Sequence, residues 1–504
     1  MARLGFLLDS TSCIGCHACT VACKSEHDVP LGVNRTWVKY IETGSFPDVA
    51  RKFTVMRCNQ CDDAPCMAIC PTSALFRADN GVVDFDDRRC IGCKSCMNAC
   101  PYDAIYINPE TSTAHKCNMC NHRLEVGLLP SCQIVCPTEA IVIGDLDDPA
   151  SAISRVIARD PVAVRAPEQN TRPKVYYRGA DQASLDPTRT AIAADGLIWA
   201  DVTPDHPTVP AGTTGVVART AYTTAHHPTW KAKVAGYLVT KAIAAGVMLL
   251  AALLVVLGHG GSGVVGVLAP VLAGVFLAAT GALLVADLRQ PRRFYFLLTM
   301  PNSTSWLVRG AWILIGFAVV CAAWFVAGAA SAGGALPWLA GPDVVGAAGT
   351  AGYTAFLLGQ CEGRDLWQTP LLLPVLLAQA VTAGASALGI ADLVVDVPQP
   401  NAVIWSLLGG VLATAALVAM ELTSAGSRHV ELATHNLTRG GQARWFWAAG
   451  IAAGLLVPGM ITAALLAVGS TNPVLLALAG VAALAGLYAY ESAFLAAGQS
   501  VPLS

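Results

Sequence analysis

The pattern of hydrophobic residues divides the chain into two unlike parts. Beyond residue 230, apolar runs follow one another, and most are long enough to cross about 30 Å of hydrocarbon as a helix. They cover residues 234–258, 263–286, 308–330, 344–361, 370–394, 402–424, 445–467 and 473–497, of which the fourth is short. Alanine and glycine crowd these runs, as expected where membrane helices pack closely. We therefore predict an all-α polytopic membrane domain of eight transmembrane helices over residues 231–504.

The part before residue 231 carries most of the charge. Only 8 of the 32 Lys and Arg residues and 9 of the 34 Asp and Glu residues follow Lys241. Residues 156–230, rich in Ala, Pro, Thr, Asp and Arg, show no clear period and predict an extension or linker to the membrane. It is either a docking arm or connector, or a packed extension without chemistry of its own. The net charge of −2 excludes a nucleic-acid partner, which requires a basic face.

Sixteen of the 18 cysteines lie before residue 137 in four sets of four. The sets are Cys13, Cys16, Cys19 and Cys23; Cys58, Cys61, Cys66 and Cys70; Cys90, Cys93, Cys96 and Cys100; and Cys117, Cys120, Cys132 and Cys136. The first and third have the C-x2-C-x2-C-x3-C spacing of bacterial ferredoxins, and the last three are followed by proline. A disulfide scaffold suits a small secreted chain, and structural zinc usually takes two separated cysteine pairs. Sixteen ligands therefore predict four [4Fe–4S] clusters.

The front part resembles the electron-transfer subunits of molybdopterin oxidoreductases of the dimethyl sulfoxide reductase, polysulfide reductase and formate dehydrogenase type. Besides the cysteines, the resemblance rests on Arg35-Thr36-Trp37, Gly44-Ser45-Phe46-Pro47 and Cys117-Asn118-Met119-Cys120. It implies an α+β double bis-[4Fe–4S] ferredoxin-like domain over residues 1–155. It also implies which cysteines share a cluster: Cys13, Cys16, Cys19 and Cys136; Cys117, Cys120, Cys132 and Cys23; Cys58, Cys61, Cys66 and Cys100; and Cys90, Cys93, Cys96 and Cys70.

The back part resembles the NrfD/PsrC-type quinone-binding membrane anchors. The matching stretches include Asp287-Leu288-Arg289-Gln290-Pro291, Ser305-Trp306-Leu307-Val308-Arg309 and Arg364-Asp365-Leu366-Trp367. The sequence is thus similar to a fusion of two subunits that are usually separate.

The resemblance implies a quinone contact at Tyr353, and Tyr237 falls near a contact position of the family. His227 and Lys241 complete the predicted quinone contacts. Glu421 and Asp287 are candidate proton donors or acceptors, because quinone chemistry moves two protons with two electrons. Structural alternatives are an ion pair of Lys241 with Glu491 and a helix-capping role for Asp287.

Histidines and loop charges complete the prediction for the membrane part. His259 is the only histidine at a span boundary, so a bis-histidine haem has no ligands and we expect none. Eight arginines lie in the loops on the side of the cluster domain, whereas the opposite loops contain no Lys or Arg. The positive-inside rule then places the cluster domain in the cytoplasm, on the inner membrane. Because ligands begin at residue 13, we expect no signal peptide.

These observations predict the electron-transfer and membrane-anchor subunit of a respiratory oxidoreductase. The substrate site would lie in a separate catalytic subunit with a molybdenum or tungsten bis-pterin cofactor. The four clusters would connect that subunit with menaquinone or ubiquinone in the bilayer. We favour formate oxidation coupled to quinone reduction. The alternatives are quinol-fed reduction of polysulfide, thiosulfate, arsenate or an N/S-oxide, an ion-translocating coupling module with Asp392 and Asp396 in its path, and an assembly scaffold.

Overall fold

A computed structural model describes residues 3–45, 47–192, 218–224, 228–330, 333–424 and 426–504. The front part is a small-sheet α+β domain, as predicted. Its strands are β1 (Leu4–Asp9), β2 (Thr36–Ser45), β3 (Asp48–Arg57), β4 (Leu75–Arg77), β5 (Val83–Phe85), β6 (Ile105–Ile107), β7 (Ala114–Lys116), β8 (Ile141–Asp145), β9 (Val162–Ala163), β10 (Val175–Arg178), β11 (Ala191–Ile192) and β12 (Ala218–Tyr222). The helices between them are short: α1 (Ala18–Glu26), α2 (Pro65–Ile69), α3 (Ser95–Ala99), α4 (Asn121–Leu124), α5 (Ser131–Ile134), α6 (Ala152–Arg159) and α7 (Gln182–Leu185).

Two four-stranded sheets frame the cysteine loops. The first has the order β8-β1-β10-β9, with β1 parallel to β10 and antiparallel to β8. The second has the order β11-β12-β2-β3 and is built on the long β2–β3 hairpin. Two further hairpins, β4–β5 and β6–β7, follow the second and third cysteine sets. The cysteines therefore lie in the loops and short helices that the strands connect.

The domain continues past residue 155. Strand β10 lies inside the first sheet, where Phe6 faces Val175, and β12 pairs with β2 in the second sheet. Of the two possibilities that the composition left open for this extension, the structure shows the packed one in its described part. The strands pair because their buried residues, such as Val175 and Tyr177, join the same core as Phe6 and Leu8.

The back part is a helical bundle with long apolar helices. Its helices are α8 (Ala232–Val256), α9 (Ala269–Asp287), α10 (Phe296–Thr299), α11 (Trp306–Ala329), α12 (Leu336–Gly359), α13 (Leu372–Ala391), α14 (Pro400–Thr423), α15 (Arg428–Thr438), α16 (Val457–Val468) and α17 (Pro473–Ser500). Wide π-helical turns, Val264–Leu268 and Trp445–Leu456, precede α9 and α16. Among the described residues, seven helices are long and apolar enough to cross a membrane.

The predicted fourth span is the exception to this count. Helix α12 has 24 residues, which is enough to cross, but it is not among the seven. Glycines, Pro342 and Asp343 lower its mean hydropathy. It also begins at Leu336, eight residues before the predicted start at 344, so Asp343 lies inside the helix rather than before it. The prediction of eight spans is thus confirmed for seven, and the eighth long helix is less apolar than the others.

The loop between α9 and α11 attaches the bundle to the cluster domain. The backbone N–H groups of Arg289 and Gln290 donate to the carbonyls of Gly92 and Ile91 at 3.2 and 3.1 Å. Further along, Asn302 Nδ2 donates to the carbonyl of Cys70 at 2.8 Å. These bonds attach the loop to the second and third cysteine sets. The bundle therefore meets the cluster domain at those two sets.

Candidate iron–sulfur clusters and candidate quinone site

Paired left-handed residues shape the loops of the first and third cysteine sets. Gly15 and His17 have positive φ angles of 72° and 60°, and Gly92 and Lys94 repeat them with 68° and 67°. Both pairs flank the second cysteine of a Cys-Ile-Gly-Cys stretch. Left-handed residues reverse the chain direction locally, and glycine adopts this conformation without a steric penalty. The turn brings three thiols of the set around one space and leads into the short helix α1 or α3.

The third set and the last cysteine of the second set surround one cavity. Its lining includes Cys70, Cys90, Cys93 and Cys96, together with Ile91 and Lys94. Backbone N–H groups of Gly92 and Ala114 point at Cys90 Sγ from 3.4 Å. Amide donors of this kind stabilise a coordinated thiolate. Four thiols and two donors around one enclosed space fit a cubane cluster.

The other thiols fall into three corresponding neighbourhoods. Cys13 lies close to Cys16 and Cys136. Cys23 lies close to Cys117, Cys120 and Cys132, and Cys66 to Cys58, Cys61 and Cys100. The pairing implied by the resemblance stays a prediction, and these neighbours support it.

Burial raises the pKa of several of these thiols and so disfavours their ionised form. Loss of solvent raises the pKa of Cys93 to about 12, and the neighbouring Cys70 adds to the effect. The same cause raises the pKa of Cys61 to about 12 and that of Cys117 to about 11. A coordinating thiol is deprotonated outright by its metal. In the described residues no three Cys, His, Asp or Glu side chains converge on a single-ion site. The thiols of a cubane stand further apart than zinc ligands, because iron and sulfide separate them.

A buried arginine and a half-buried histidine lie against the thiols of Cys132 and Cys120. Arg57 is fully buried, its guanidinium donates to Cys132 Sγ at 3.3 Å, and its Nε and a second nitrogen have no partner among the described residues. His27 Nε2 lies 3.2 Å from Cys120 Sγ, and burial lowers the pKa of this histidine to about 4. A buried guanidinium without a carboxylate is costly, so its natural partner is an anionic group. A cluster with four thiolate ligands is such a group.

The candidate quinone residues meet where α8 faces α12. Lys241 Nζ donates to Thr354 Oγ1 at 2.5 Å and to the carbonyl of Ala351 at 2.8 Å, and it lies 4.8 Å from the ring centre of Tyr353. Tyr237, one turn earlier on α8, lies within hydrogen-bonding reach of Thr354. All of these side chains are buried. The structure thus brings together three of the four predicted contacts, whereas His227 lies outside the described residues.

The other ionisable candidates of the membrane part lie outside the group formed by Tyr237, Lys241 and Tyr353. Glu491 lies near Lys241 without an ion pair within 4.0 Å among the described residues, and Glu421 lies near Glu491. Asp287 forms an ion pair of 2.7 Å with Lys94, the residue after Cys93. This ion pair joins the bundle to the cluster domain, so the proton-carrying role of Asp287 stays a prediction beside a structural one.

The cluster cavity and the candidate quinone residues are connected at the interface. Trp230 Nε1 donates to the carbonyl of Cys93 at 3.2 Å, and Trp230 stacks on Trp367 with ring centres 5.7 Å apart. Both tryptophans are buried, and Trp230 lies just before the first turn of α8. The thiol of Cys361, at the end of α12, lies near Cys93 and Tyr237. The third cysteine set is thus the one that adjoins the candidate quinone residues.

Comparison with known protein families supports the predictions for both the front and the back part of the chain. Residues 222–502, more than half of the chain, match the model "Polysulphide reductase, NrfD". The chain therefore belongs to the NrfD family. Residues 49–146 match a "4Fe-4S dicluster domain", which spans the last three cysteine sets. This NrfD-family protein joins an iron–sulfur electron-transfer domain and a multi-pass membrane domain in one polypeptide, which confirms the predicted fusion.

Curated relatives cover a stretch about the size of the cluster domain. A tetrathionate reductase subunit of Salmonella typhimurium is 42% identical over 204 residues, which cover 40% of this chain and 81% of that protein. Protein NrfC of Escherichia coli is 44% identical over 177 residues, covering 34% and 79%. The thiosulfate reductase electron transfer subunit PhsB of Salmonella typhi is 41% identical over 175 residues, covering 34% and 90%. The cluster domain of this NrfD-family protein thus has relatives that are separate polypeptides.

Sequence reasoning missed Arg57, His27 and Asp343. Arg57 and His27 are separated from the thiols they contact by 75 and 93 residues, so no local motif indicates them. Asp343 was excluded because the predicted span began one residue after it. A charged residue within a glycine-rich apolar stretch is the signal that could have identified it.

Replacing Arg57 with methionine in this NrfD-family protein should lower one reduction potential. A unit charge near a cluster in protein surroundings contributes about 1–3 kcal/mol, which corresponds to roughly 50–130 mV for one electron. Redox titration followed by electron paramagnetic resonance would measure the shift. The matched control is Arg51→Met, since Arg51 is an exposed arginine paired with Glu42 on the β2–β3 hairpin. Four unchanged potentials in the Arg57 variant would contradict the assignment.

Proposed function

We propose that this protein carries electrons between membrane quinol and a separate substrate-reducing subunit, as the electron-transfer and anchor part of a respiratory reductase. The observation that carries the proposal is that the third cysteine set adjoins the buried group Tyr237, Lys241 and Tyr353 through Cys361, which lies near both Cys93 and Tyr237. Clusters held by the sixteen cysteines would supply one-electron transfer. The protein's own residues hold them in a dry interior and place one end of the series at the membrane.

The names of the relatives support one direction of electron flow. The relatives include proteins named for tetrathionate reductase, arsenate respiratory reductase, polysulfide reductase and thiosulfate reductase. They support the quinol-fed alternative over the formate oxidation that the sequence analysis favoured. We infer a sulfur- or arsenic-containing oxidant as the class of substrate and a molybdenum or tungsten bis-pterin subunit as the partner.

Tyr237, Lys241 and Tyr353 would bind and orient the quinone. The Lys241 ammonium and the tyrosine hydroxyls are donors to quinone oxygens, and the surrounding helices exclude water. Donors placed at developing negative charge in a dry site are worth far more than in water. His227 remains a further proposed contact. The roles of Glu421 and Asp287 as proton carriers stay predictions of the sequence analysis, and the route through Glu421 is an alternative to any other proton path.

The experiment that tests the function uses the whole chain with its clusters. Anaerobic addition of a short-chain menaquinol should reduce the clusters, which metal analysis should count at about sixteen iron atoms per chain. Co-purification of a subunit containing molybdenum or tungsten should accompany it. Clusters that dithionite reduces and menaquinol does not would overturn the quinone role.

The end of the cluster domain around Cys16 is proposed as the partner's docking surface. Cys16 is exposed, and so are several apolar side chains in and beside α1, α4 and α5. They are Ile14, Val21, Leu31, Val126, Leu128, Leu129, Ile134 and Val135. Large exposed apolar patches of this kind mark protein–protein interfaces. The catalytic subunit would contact the first set, opposite the set that adjoins the membrane.

Charges placed on this surface should weaken partner binding. Leu31→Glu and Val126→Glu are each expected to lower affinity about tenfold or more, the loss typical of a central interface residue. Neither residue is within two positions of a cysteine. The measurement is the amount of molybdenum or tungsten that co-purifies per iron. Val49→Glu on the β2–β3 hairpin, also exposed, is the control. Equal co-purification in all variants would place the interface elsewhere.

We also propose that the cluster domain faces the cytoplasm. The arginine-rich loops lie on its side of the bundle, although Arg293 donates to the carbonyls of Asp87 and Cys90 and so serves the interface as well. Gln499, near the end of α17, bonds to Trp230 and places the C-terminus on the same side. A C-terminal fluorescent fusion should therefore fluoresce, and a C-terminal alkaline phosphatase fusion should be inactive.

A further inference from the structure

Helix α12 carries a buried carboxylate that nothing in the described structure neutralises. Asp343 has no exposed surface, and neither of its carboxylate oxygens has a hydrogen-bond partner among the described residues. The titratable group found near it is the thiol of Cys321 on α11. Buried carboxylates are normally paired or hydrogen-bonded, and ionisable residues within a membrane are functional candidates by default. No packing role accounts for this one.

Asp343 lies in the half of the bundle opposite the clusters. The loops at residues 288–305 and 360–371 contact the cluster domain, so α12 begins on the far side and ends at it. Asp343 is about two turns from the far end. Pro342, immediately before it, lacks a backbone N–H and leaves the carbonyl of Trp338 without its helical donor. This turn of α12 therefore holds a carboxylate without a partner among the described residues and a carbonyl without its helical donor.

The same face of α12 continues toward the candidate quinone residues. Thr350 and Thr354 follow Asp343 by seven and eleven positions, a spacing that keeps them on one side of a helix. Both are fully buried, and the Thr350 hydroxyl has no partner among the described residues. Ala347 and Ala351, both buried, lie between them on this face. The row ends at Thr354, which accepts the hydrogen bond from Lys241.

We propose that protons exchanged by the quinone site travel along Asp343, Thr350, Thr354 and Lys241 to the membrane face opposite the clusters. The inference rests on the proposed quinone site. The row spans about 16 Å from Asp343 to Thr354, so bridging water completes it. Oxidation of one quinol breaks two O–H bonds. The two electrons leave toward the third cysteine set, and the two protons leave along α12. Electrons and protons thus leave toward opposite faces of the membrane, and the reaction generates a transmembrane potential.

Glu421 offers the competing exit. It lies near the cluster-side end of α14, close to Glu491, and its Oε1 has no partner among the described residues. Protons that took this way would appear on the cluster side, with no net charge separation. The side on which protons appear therefore decides between the two.

The test uses the full chain, with its clusters, in sealed vesicles with the cluster domain outward. Menaquinol is dissolved in the membrane, a pH-sensitive dye is enclosed, and ferricyanide, which does not cross the membrane, is added outside as the one-electron oxidant. Each menaquinol consumes two ferricyanide ions and releases two protons. The lumen should acidify as ferricyanide is consumed. Acidification of the outer medium alone would overturn the proposal.

Single substitutions test whether the proton path runs through Asp343. Asp343→Asn should slow luminal acidification about a hundredfold, the range of a lost proton carrier, and Asp343→Glu should retain it. Thr462→Val is the control, because Thr462 is a buried polar residue of α16 whose hydroxyl donates to the carbonyl of Pro458. Unchanged acidification in Asp343→Asn would overturn the proposal. If that variant fails to assemble, the side of the membrane on which the unsubstituted protein releases protons still tests the proposal. Menaquinol that reduces no cluster at all overturns the quinone site itself, a separate result.

Discussion

Replacing Cys93 with alanine should reduce menaquinol-driven reduction of the remaining clusters to background, while dithionite still reduces them. Cys93 lines the cavity that adjoins the membrane bundle, and its carbonyl accepts the Trp230 indole. Among the described residues, the third set is the one that adjoins the candidate quinone residues. Loss of its cluster therefore interrupts the direct route of electrons from menaquinol to the other clusters. Electron paramagnetic resonance after each reductant, together with iron content, measures the effect.

Cys361→Ser is the matched control. Cys361 is a buried cysteine near Cys93 and Tyr237, but it belongs to none of the four sets, and its thiol donates to the carbonyl of Leu357. Serine can make the same hydrogen bond, so both iron content and menaquinol reduction should stay unchanged. Full menaquinol reduction in the Cys93 variant, or its loss in the Cys361 variant, would show that electrons enter elsewhere.

Replacing Lys241 with methionine should slow menaquinol oxidation about a hundredfold or more, the typical contribution of one positioned donor in a dry site. Methionine keeps the length of the side chain and removes the ammonium that binds Thr354 and Ala351. Dithionite reduction and iron content should not change, because the clusters lie in the other domain. Tyr353→Phe should show a smaller loss in the same assay.

Tyr488→Phe is the control for the tyrosine. Tyr488 lies on α17 but is partly exposed on the outside of the bundle, so loss of its hydroxyl should not matter. If Lys241→Met oxidises menaquinol at the unsubstituted rate, the group around Thr354 is structural and the quinone binds elsewhere. If Lys241→Met does slow menaquinol oxidation, loss of the rise in Tm that added menaquinol gives the unsubstituted protein would show that the lysine acts on binding rather than on rate.

The cysteine motifs could be predicted because their chemistry is local. Three thiols separated by two residues must turn around one space, and Gly15 and Gly92 allow that turn. The apolar runs were equally local, since a membrane requires a continuous stretch of about 20 apolar residues. Where a helix mixes apolar and polar residues, this criterion fails. For that reason α12 was predicted too short and Asp343 was missed.

The arrangement of the two domains depends on contacts far apart in the chain. Lys94 and Asp287 form an ion pair across 193 residues, and Gln499 bonds to Trp230 across 269. No sequence period indicates such pairs, because each depends on how the two domains dock. The same holds for the extension after residue 155. Its hydrophobic pattern is too weak to predict β10, which forms a strand by pairing with β1.

The sequence by itself predicted the cysteine ligands and the class of the clusters and indicated the membrane nature of the back part, because each depends on residues close together in the chain. Only the tertiary structure decided which set adjoins the membrane, that Arg57 lies against the thiol of Cys132, and that Lys241 of α8 meets Thr354 of α12. Those relations join helices and loops that are distant in the chain, and they arise only when burial of their apolar surfaces brings them together.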